Sequence, residues 1–155
     1  MDDHADHPDV AVFPPALIGG SALLAFALHR FFPLPAMPRR VARPLGLALT
    51  LAAAAVAASG FRALHDANTT FDVRESTTAV VTNGVYAYTR NPLYVGLILL
   101  FLGLGTLRNS RWHWMLALPT AAALHYLVIV REEAYLERKF GAEYRDYKTR
   151  VRRWL

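Results

Sequence analysis

Four long apolar segments, separated by short polar stretches, constrain this chain more than any other feature of its sequence. They run from about residue 12 to 32, 44 to 64, 92 to 107 and 112 to 130. About 20 apolar residues suffice to cross a bilayer as a helix, so the third segment, with some 16, is a little short. Because 54% of all residues are hydrophobic, we expect an all-α, multi-pass membrane helix bundle with about four transmembrane helices.

The polar residues after the fourth segment predict a helix that continues beyond the membrane surface and stops at Gly141. A last amphipathic stretch, Glu143 to Leu155, then carries Tyr144, Tyr147 and Trp154 among basic residues. Such a helix lies on a membrane or packs over a site. We expect residues 1–155 to form a single domain, in which residues 1–68 supply anchoring helices.

The composition excludes several kinds of chemistry. The chain has no cysteine, which removes disulfides, thiolate nucleophiles and cysteine-based zinc or iron–sulfur sites. His113 and His125 are 12 residues apart, which is not a helical ligand spacing, so we interpret both as structural and expect no metal. The net charge of +5 comes from residues that flank apolar segments, which is typical of membrane-interface anchoring, and we expect no nucleic-acid partner.

The charges also predict an orientation. With four spans, both termini and the polar loop of residues 62–91 share one side, which carries 11 of the 17 basic residues. The positive-inside rule therefore places that side in the cytoplasm. The acidic start of the chain, with Asp2, Asp3 and Asp6, has the wrong sign for a signal peptide, so we expect the first apolar segment to be retained.

The second segment is rich in alanine, with six between Leu51 and Ala58. In a bilayer such small residues usually mark close helix–helix packing. The alternative is a smooth wall against which a bulky ligand lies.

Spacing along the third and fourth segments predicts that charged groups meet. The two segments form a hairpin around Asn109 and Ser110; Arg90 lies 19 residues before Asn109, and Glu132 lies 22 after Ser110. At about 1.5 Å per residue, both lie roughly 30 Å from the turn. Adjacent helical residues point about 100° apart, so we expect only one of Glu132 and Glu133 to face the hairpin partner.

Arg90 in isolation is typical of an arginine that reaches the membrane interface, and the two glutamates of a solvated helix end. Their convergence with Asn91, Tyr88 and Tyr94 beside an apolar crevice favours a site instead. A polar pocket that opens into lipid suits a charged cofactor on one side and a lipophilic substrate on the other.

These residues resemble a known superfamily. The run Val80–Tyr86, the motif Arg90-Asn91-Pro92-Leu93-Tyr94-Val95-Gly96, the pair Glu132-Glu133 and the run Phe140–Tyr147 are similar to the isoprenylcysteine carboxyl methyltransferases and phospholipid methyltransferases. These are integral-membrane enzymes that use S-adenosylmethionine. The resemblance covers about residues 69–155 and marks them as the cofactor-site half of the domain.

The resemblance implies an integral-membrane methyltransferase that moves a methyl group from S-adenosylmethionine to a lipophilic acceptor, either a lipid amine or a lipid-linked carboxylate. It implies that a motif and a later pair of glutamates shape the cofactor pocket, with the catalytic role on the charged members. The residues are Tyr88, Arg90, Asn91, Pro92, Tyr94, Gly96, Glu132 and Glu133 for the cofactor, and Arg90, Glu132 and Glu133 for catalysis.

The chain departs from the carboxyl methyltransferases at Asn91, where those enzymes typically carry histidine. Asparagine cannot titrate, which excludes a general base at this position. Two alternatives remain open: a sterol-reductase-like membrane oxidoreductase that uses NADPH, and a non-catalytic membrane scaffold. The reductase motif differs here, since Leu93 and Leu97 replace its second asparagine and its glutamate.

Overall fold

A computed structural model describes residues 8, 10–70 and 76–155 of the chain. The described residues form helices joined by loops, and their only β-structure is one isolated bridge between Pro35 and Ser110. The predicted acidic start, Asp2 to Asp6, and Arg74 of the polar loop lie outside the described residues. The helices are α1 (Pro14–Phe31), α2 (Arg39–Asp66), α3 (Pro92–Leu107), α4 (Arg111–Leu124), α5 (Val130–Phe140) and α6 (Ala142–Arg150).

Prolines delimit the first helix as the sequence predicts, but not the second. Helix α1 accepts Pro14 and Pro15 in its first turn, where a missing N–H costs nothing. We expected α2 to begin near Pro44, after a basic linker. It begins at Arg39 instead and contains Pro44, because arginine and alanine favour the helix and one backbone hydrogen bond near its start can be lost.

Helices α2 and α3 pack closely through small residues. Gly46, Ala53 and Gly60 are buried on α2, and Gly96 and Gly103 are buried on α3. A Cβ added at Gly103 would lie 2.9 Å from the backbone nitrogen of Thr50, so only glycine permits this approach. Small residues at this interface are what helix packing in lipid requires.

The predicted hairpin between α3 and α4 is present. Its turn contains Asn109, which has a φ of 55° and whose side chain bonds the backbone of Ala36 and Met37. After α4 the helix passes through a π-helical segment, His125–Ile129, into α5. Gly141, with a φ of 56°, ends α5 as predicted and starts α6.

Among residues 8, 10–70 and 76–155, two helices are long and apolar enough to cross a membrane: Arg39–Asp66 and the continuous helix Arg111–Phe140. Only 17% and 28% of their most apolar windows are buried inside the protein, unlike the core helices of a soluble protein. Large apolar side chains such as Leu51 and Leu118 face outward. Their exposure matches a surface that lipid covers. The 16-residue α3 is shorter. Of the four spans predicted from the sequence, two therefore meet the length and hydropathy criterion.

The polar loop before α3 contains a short 3₁₀ turn, Gly84–Ala87, where the sequence Asn83-Gly84 predicts a turn. Residues 76–83, which precede this turn, are in neither a helix nor a strand. The turn places Tyr86 and Arg90 beside the start of α3.

Candidate active site

A cavity of about 380 Å³ lies between the start of α3, helices α5 and α6 and one face of α2. This volume is in the range of small-molecule sites. One end is polar and the other apolar. The polar end is lined by Tyr86, Arg90, Glu132, Glu133, Tyr144 and Tyr147, and the apolar end by residues that include Phe13, Ala53, Ala57, Leu97 and Leu100.

The start of α3 brings the predicted motif to the cavity. Asn91 is the N-cap residue, and its carbonyl accepts the first helical hydrogen bond, from the N–H of Val95. Pro92 occupies the first helical position, where its ring is favoured. The Asn91 amide donates to the carbonyl of Arg153 (2.9 Å), so this side chain holds the end of the chain against the site.

Arg90 lines the cavity and has hydrogen-bond donors that no protein group accepts. Its side chain is only 9% exposed, and its Nη2 lies 3.3 Å from Glu133 Oε1. Its Nε and Nη1 are buried and have no hydrogen-bond partner. Buried guanidinium donors are normally paired. A guanidinium offers parallel N–H groups to a carboxylate through Nη2 together with either Nε or Nη1, so an unpaired Nε or Nη1 beside Nη2 fits a ligand that carries a carboxylate.

Both glutamates contact site residues, but they do so on different elements. Glu132 faces the hairpin partner: its Oε2 accepts a hydrogen bond from the Tyr94 hydroxyl (2.8 Å), on the first turn of α3. Glu133 is buried and pairs with Arg90 and with Arg153. These partners of Glu133 lie outside α3, one in the loop before it and one after α6, which agrees with our expectation that one of the two glutamates faces the hairpin partner.

Three tyrosines outside the apolar helices close the polar end. The hydroxyl of Tyr147 donates to the carbonyl of Tyr86 (2.7 Å), and the ring of Tyr147 packs edge-on against Tyr144. Burial raises the pKa of Tyr86, and the neighbouring Glu132 raises it further. Burial likewise raises the pKa of Tyr144 and of Tyr147. All three therefore present neutral hydroxyls and ring faces.

Two of the predicted site residues, Tyr88 and Gly96, do not present a side chain to the cavity. Tyr88 is 77% exposed and does not line the cavity, so the structure does not bring it to the other site residues. Gly96 does line the cavity, but a Cβ there would lie 3.4 Å from the carbonyl oxygen of Ala53 and 3.6 Å from the Cβ of Ala57. Its role in the structure is to let α2 approach α3.

The alanine-rich face of α2 serves both functions that we considered. Ala53 and Ala57 pack near Gly96, as small interface residues do. The same two residues and Ala54 form part of the apolar wall of the cavity. Part of the wall therefore belongs to residues 1–68, which we expected to supply the anchoring helices.

Sequence reasoning missed Arg153. Its Nε and Nη2 donate to the two oxygens of Glu133 at 2.9 and 2.7 Å. It lies after α6, in residues 151–155 (the C-terminal tail), where no helical periodicity or motif marks it among the other basic residues.

Both histidines that we interpreted as structural have polar partners. His113 Nδ1 lies 3.0 Å from Ser110 Oγ, and His125 Nε2 lies 3.3 Å from Arg153 Nη1. Over residues 8, 10–70 and 76–155, no three His, Asp or Glu side chains cluster in a way that could hold a metal ion.

Comparison with known proteins adds a family to this geometry. The sequence model of the family described as phospholipid methyltransferase matches residues 41–143, about two thirds of the chain. An uncharacterized protein of Haemophilus influenzae is 40% identical over 63 residues, which are 41% of this chain and 100% of that protein. No solved structure matches.

A second relative is the protein-S-isoprenylcysteine O-methyltransferase of Schizosaccharomyces pombe. It is 36% identical over 72 residues, which are 46% of this chain but only 30% of that protein. The match to the family extends from the start of α2 to the start of α6 and includes the Arg90 motif and both glutamates, which confirms the resemblance. The chain therefore belongs to the phospholipid methyltransferase family.

Proposed function

We propose that this protein is an integral-membrane methyltransferase that transfers a methyl group from S-adenosylmethionine to a lipophilic acceptor. The observation that carries the proposal is the two-ended cavity. Its polar end has buried, unpaired donors on Arg90, and its apolar end is lined by α2 and α3. A charged donor and an apolar acceptor could thus meet in one space.

The residues of the polar end fit S-adenosylmethionine. Nε and Nη1 of Arg90 have no partner, and either of them can donate to its carboxylate. Glu132 has a second carboxylate oxygen besides the one that Tyr94 contacts, and it can accept from an amino group or from ribose hydroxyls. The ring faces of Tyr86, Tyr144 and Tyr147 suit a planar base or a cation.

When bound, S-adenosylmethionine supplies an electrophilic methyl group on a sulfonium. The chain's residues then have to align the donor and acceptor and keep water away, because methyl transfer is an in-line displacement. The apolar wall, with Ala53, Leu97 and Leu100, excludes water from the acceptor side. Asn91 cannot act as a base, and its amide is engaged by the C-terminal tail.

The acceptor is a lipid amine or a lipid-linked carboxylate. Its lipophilic part would lie along the small residues of α2, such as Ala54 and Ala57, which leave room for a bulky chain. Its reacting group would lie towards Glu132, at the boundary between the two ends of the cavity.

We also infer that α1 and α3 cross the membrane together with the two longer helices, which gives four spans. Helix α3 is short but pairs along its length with α2. The excess of basic residues on the side of α6 then places the site and both termini in the cytoplasm.

Two measurements test the proposal on protein purified in detergent or nanodiscs. Isothermal titration calorimetry should detect binding of S-adenosylhomocysteine and no binding of NADPH. Incubation with methyl-labelled S-adenosylmethionine and a total lipid extract should then transfer label to a lipid, whose identification decides between an amine and a carboxylate.

If the folded protein bound neither S-adenosylhomocysteine nor NADPH, both enzyme hypotheses would be contradicted. The hypothesis of a non-catalytic membrane scaffold would then remain. Binding of NADPH alone would favour the oxidoreductase. Label recovered only in water-soluble products would contradict a lipophilic acceptor.

A further inference from the structure

The C-terminal tail supplies a residue to the site that lies beyond the family motif and the region matched by the family. Three hydrogen bonds fasten the tail to the segment before α3. The N–H of Arg90 donates to the carbonyl of Arg152 (2.9 Å), and the side chains of Thr89 and Asn91 both donate to the carbonyl of Arg153 (3.2 and 2.9 Å). The backbone of the tail is thus fixed beside Arg90.

From this position the side chain of Arg153 forms an ion pair with Glu133. Its Nε and Nη2 reach the two carboxylate oxygens at 2.9 and 2.7 Å, a bidentate pair, and its Nη1 lies 3.3 Å from His125 Nε2. The pairing raises the pKa of Arg153, through the hydrogen bonds to Glu133 first. Planar bidentate pairs are the strongest and most directional ion pairs that a protein makes.

Arg90 shares the same carboxylate but has the weaker geometry. It makes one contact of 3.3 Å to Glu133 Oε1, an oxygen that already accepts from Arg153. This leaves Nε and Nη1 of Arg90 buried without a partner. If Arg153 were absent, both oxygens of Glu133 would be available, and a buried guanidinium would turn to form the bidentate pair itself.

We propose that Arg153 is a positioning residue that occupies Glu133 and so keeps Nε and Nη1 of Arg90 free, and one of these two donors then binds the carboxylate of the ligand. The inference rests on the proposed function, since the ligand is S-adenosylmethionine or its product. It assigns a role in ligand selectivity to the tail: the tail determines whether the site recognises an amino-acid carboxylate. Arg153 does not itself touch the ligand.

The test compares two ligands that differ in that carboxylate. S-adenosylhomocysteine carries the amino-acid group, whereas 5′-methylthioadenosine has the same nucleoside and a thioether but no amino acid. Calorimetry on the full-length protein in nanodiscs should show that Arg153→Ala weakens S-adenosylhomocysteine binding by about tenfold or more, the loss expected when a charge-assisted pair is removed. Binding of 5′-methylthioadenosine should change by less than about twofold, because it makes no use of those donors.

Two further variants make the result specific. Arg153→Lys keeps the charge but cannot form the bidentate pair, so it should show the same selective loss to a smaller degree. Arg150→Ala removes an exposed arginine whose Nε bonds the carbonyl of Asp146 in its own helix, and it should bind both ligands as the wild type does. Thermal unfolding shows that each variant is folded, and Arg153→Lys decides the question if Arg153→Ala is not.

An equal loss for both ligands in the Arg153 variants would reduce the residue to a general structural role and overturn the proposal. Unchanged binding of both ligands would overturn it as well. If the wild-type protein bound neither ligand, the proposed function would fail and this inference with it, a result distinct from the other two because it appears before any substitution is made.

Discussion

The hydroxyl of Tyr94 donates a hydrogen bond to Glu132 Oε2 at 2.8 Å, and it joins the first turn of α3 to the first turn of α5 across 38 residues of sequence. Both residues line the cavity. Because Tyr94 is buried, this bond fixes how far the two helices stand apart at the mouth of the site.

Tyr94→Phe should therefore destabilise the protein while keeping its shape. Removal of the hydroxyl leaves a partly buried carboxylate without this donor, which costs about 1–3 kcal/mol. Thermal or chemical unfolding in detergent measures the change, and the affinity for S-adenosylhomocysteine should fall with it. Tyr88→Phe is the matched control, since an exposed tyrosine should change stability by less than about 0.5 kcal/mol. Equal effects of the two variants would contradict a structural role for the Tyr94–Glu132 bond.

Arg90→Ala should weaken the binding of a ligand that carries a carboxylate. The substitution removes the two unpaired donors, while Glu133 keeps its bidentate pair with Arg153. We expect binding of S-adenosylhomocysteine to weaken by about tenfold or more with little change in unfolding temperature. Arg39→Ala, at the exposed start of α2, is the control and should bind normally. If both variants bound equally well, Arg90 would be an interface anchor.

Spacing alone predicted that Arg90 and the two glutamates converge at one end of the hairpin, because the rise of a helix is fixed and the two arms of a hairpin must return to the same height. The sequence could not show how many glutamates would be engaged. That number depends on the C-terminal tail, whose contacts with Thr89 and Asn91 span more than 60 residues and use backbone carbonyls, which leave no pattern in the side chains.

The limits of the sequence at α2 and in the helix before α5 have different causes. The second apolar segment starts near Pro44, but the propensity of the preceding arginines for helix prevails and α2 begins at Arg39. The π-helical segment His125–Ile129 has no sequence signal, since its residues would fit an ordinary helix. The sequence therefore predicts which helices meet. Where a helix begins, and where its hydrogen-bonding pattern changes, is determined by the folded structure.

The packing of α2 against α3 predicts that Gly103→Ala is harmful. A Cβ there would lie 2.9 Å from the backbone nitrogen of Thr50, and a backbone cannot move aside as a flexible side chain can. We expect a loss of about 1–3 kcal/mol in the free energy of unfolding, typical of overpacking. Gly19→Ala is the control. A Cβ added there would have no atom within 4 Å apart from those of its own stretch of helix, and alanine in a helix should stabilise the protein by about 0.5–1 kcal/mol. A neutral Gly103→Ala would show that the two helices can separate freely.

The buried tyrosines predict a loss of stability in alkali. In the folded protein the pKa values of Tyr86, Tyr144 and Tyr147 are raised, chiefly by burial, whereas in the unfolded chain tyrosine titrates near 10. Below pH 10 both states are protonated and this contribution to stability is complete; as the pH rises above 10 only the unfolded state releases the protons, so stability falls. Absorbance of tyrosinate at alkaline pH should rise together with unfolding, and Tyr147→Phe should reduce the amplitude. Titration of all seven tyrosines near 10 in folded protein would contradict this.

The proposed topology predicts opposite labelling of the two ends of α3. The chain has no cysteine, so single substitutions report one position each. Tyr88 and Arg111 are both exposed and lie before and after α3. In sealed vesicles of known orientation, a membrane-impermeant maleimide should label Tyr88→Cys from the cytoplasmic face and Arg111→Cys from the opposite face, because the basic residues are concentrated on the side of Tyr88. Labelling of both from one face would show that α3 does not cross the membrane, and the reversed pattern would show that the charge bias does not set the orientation of this protein.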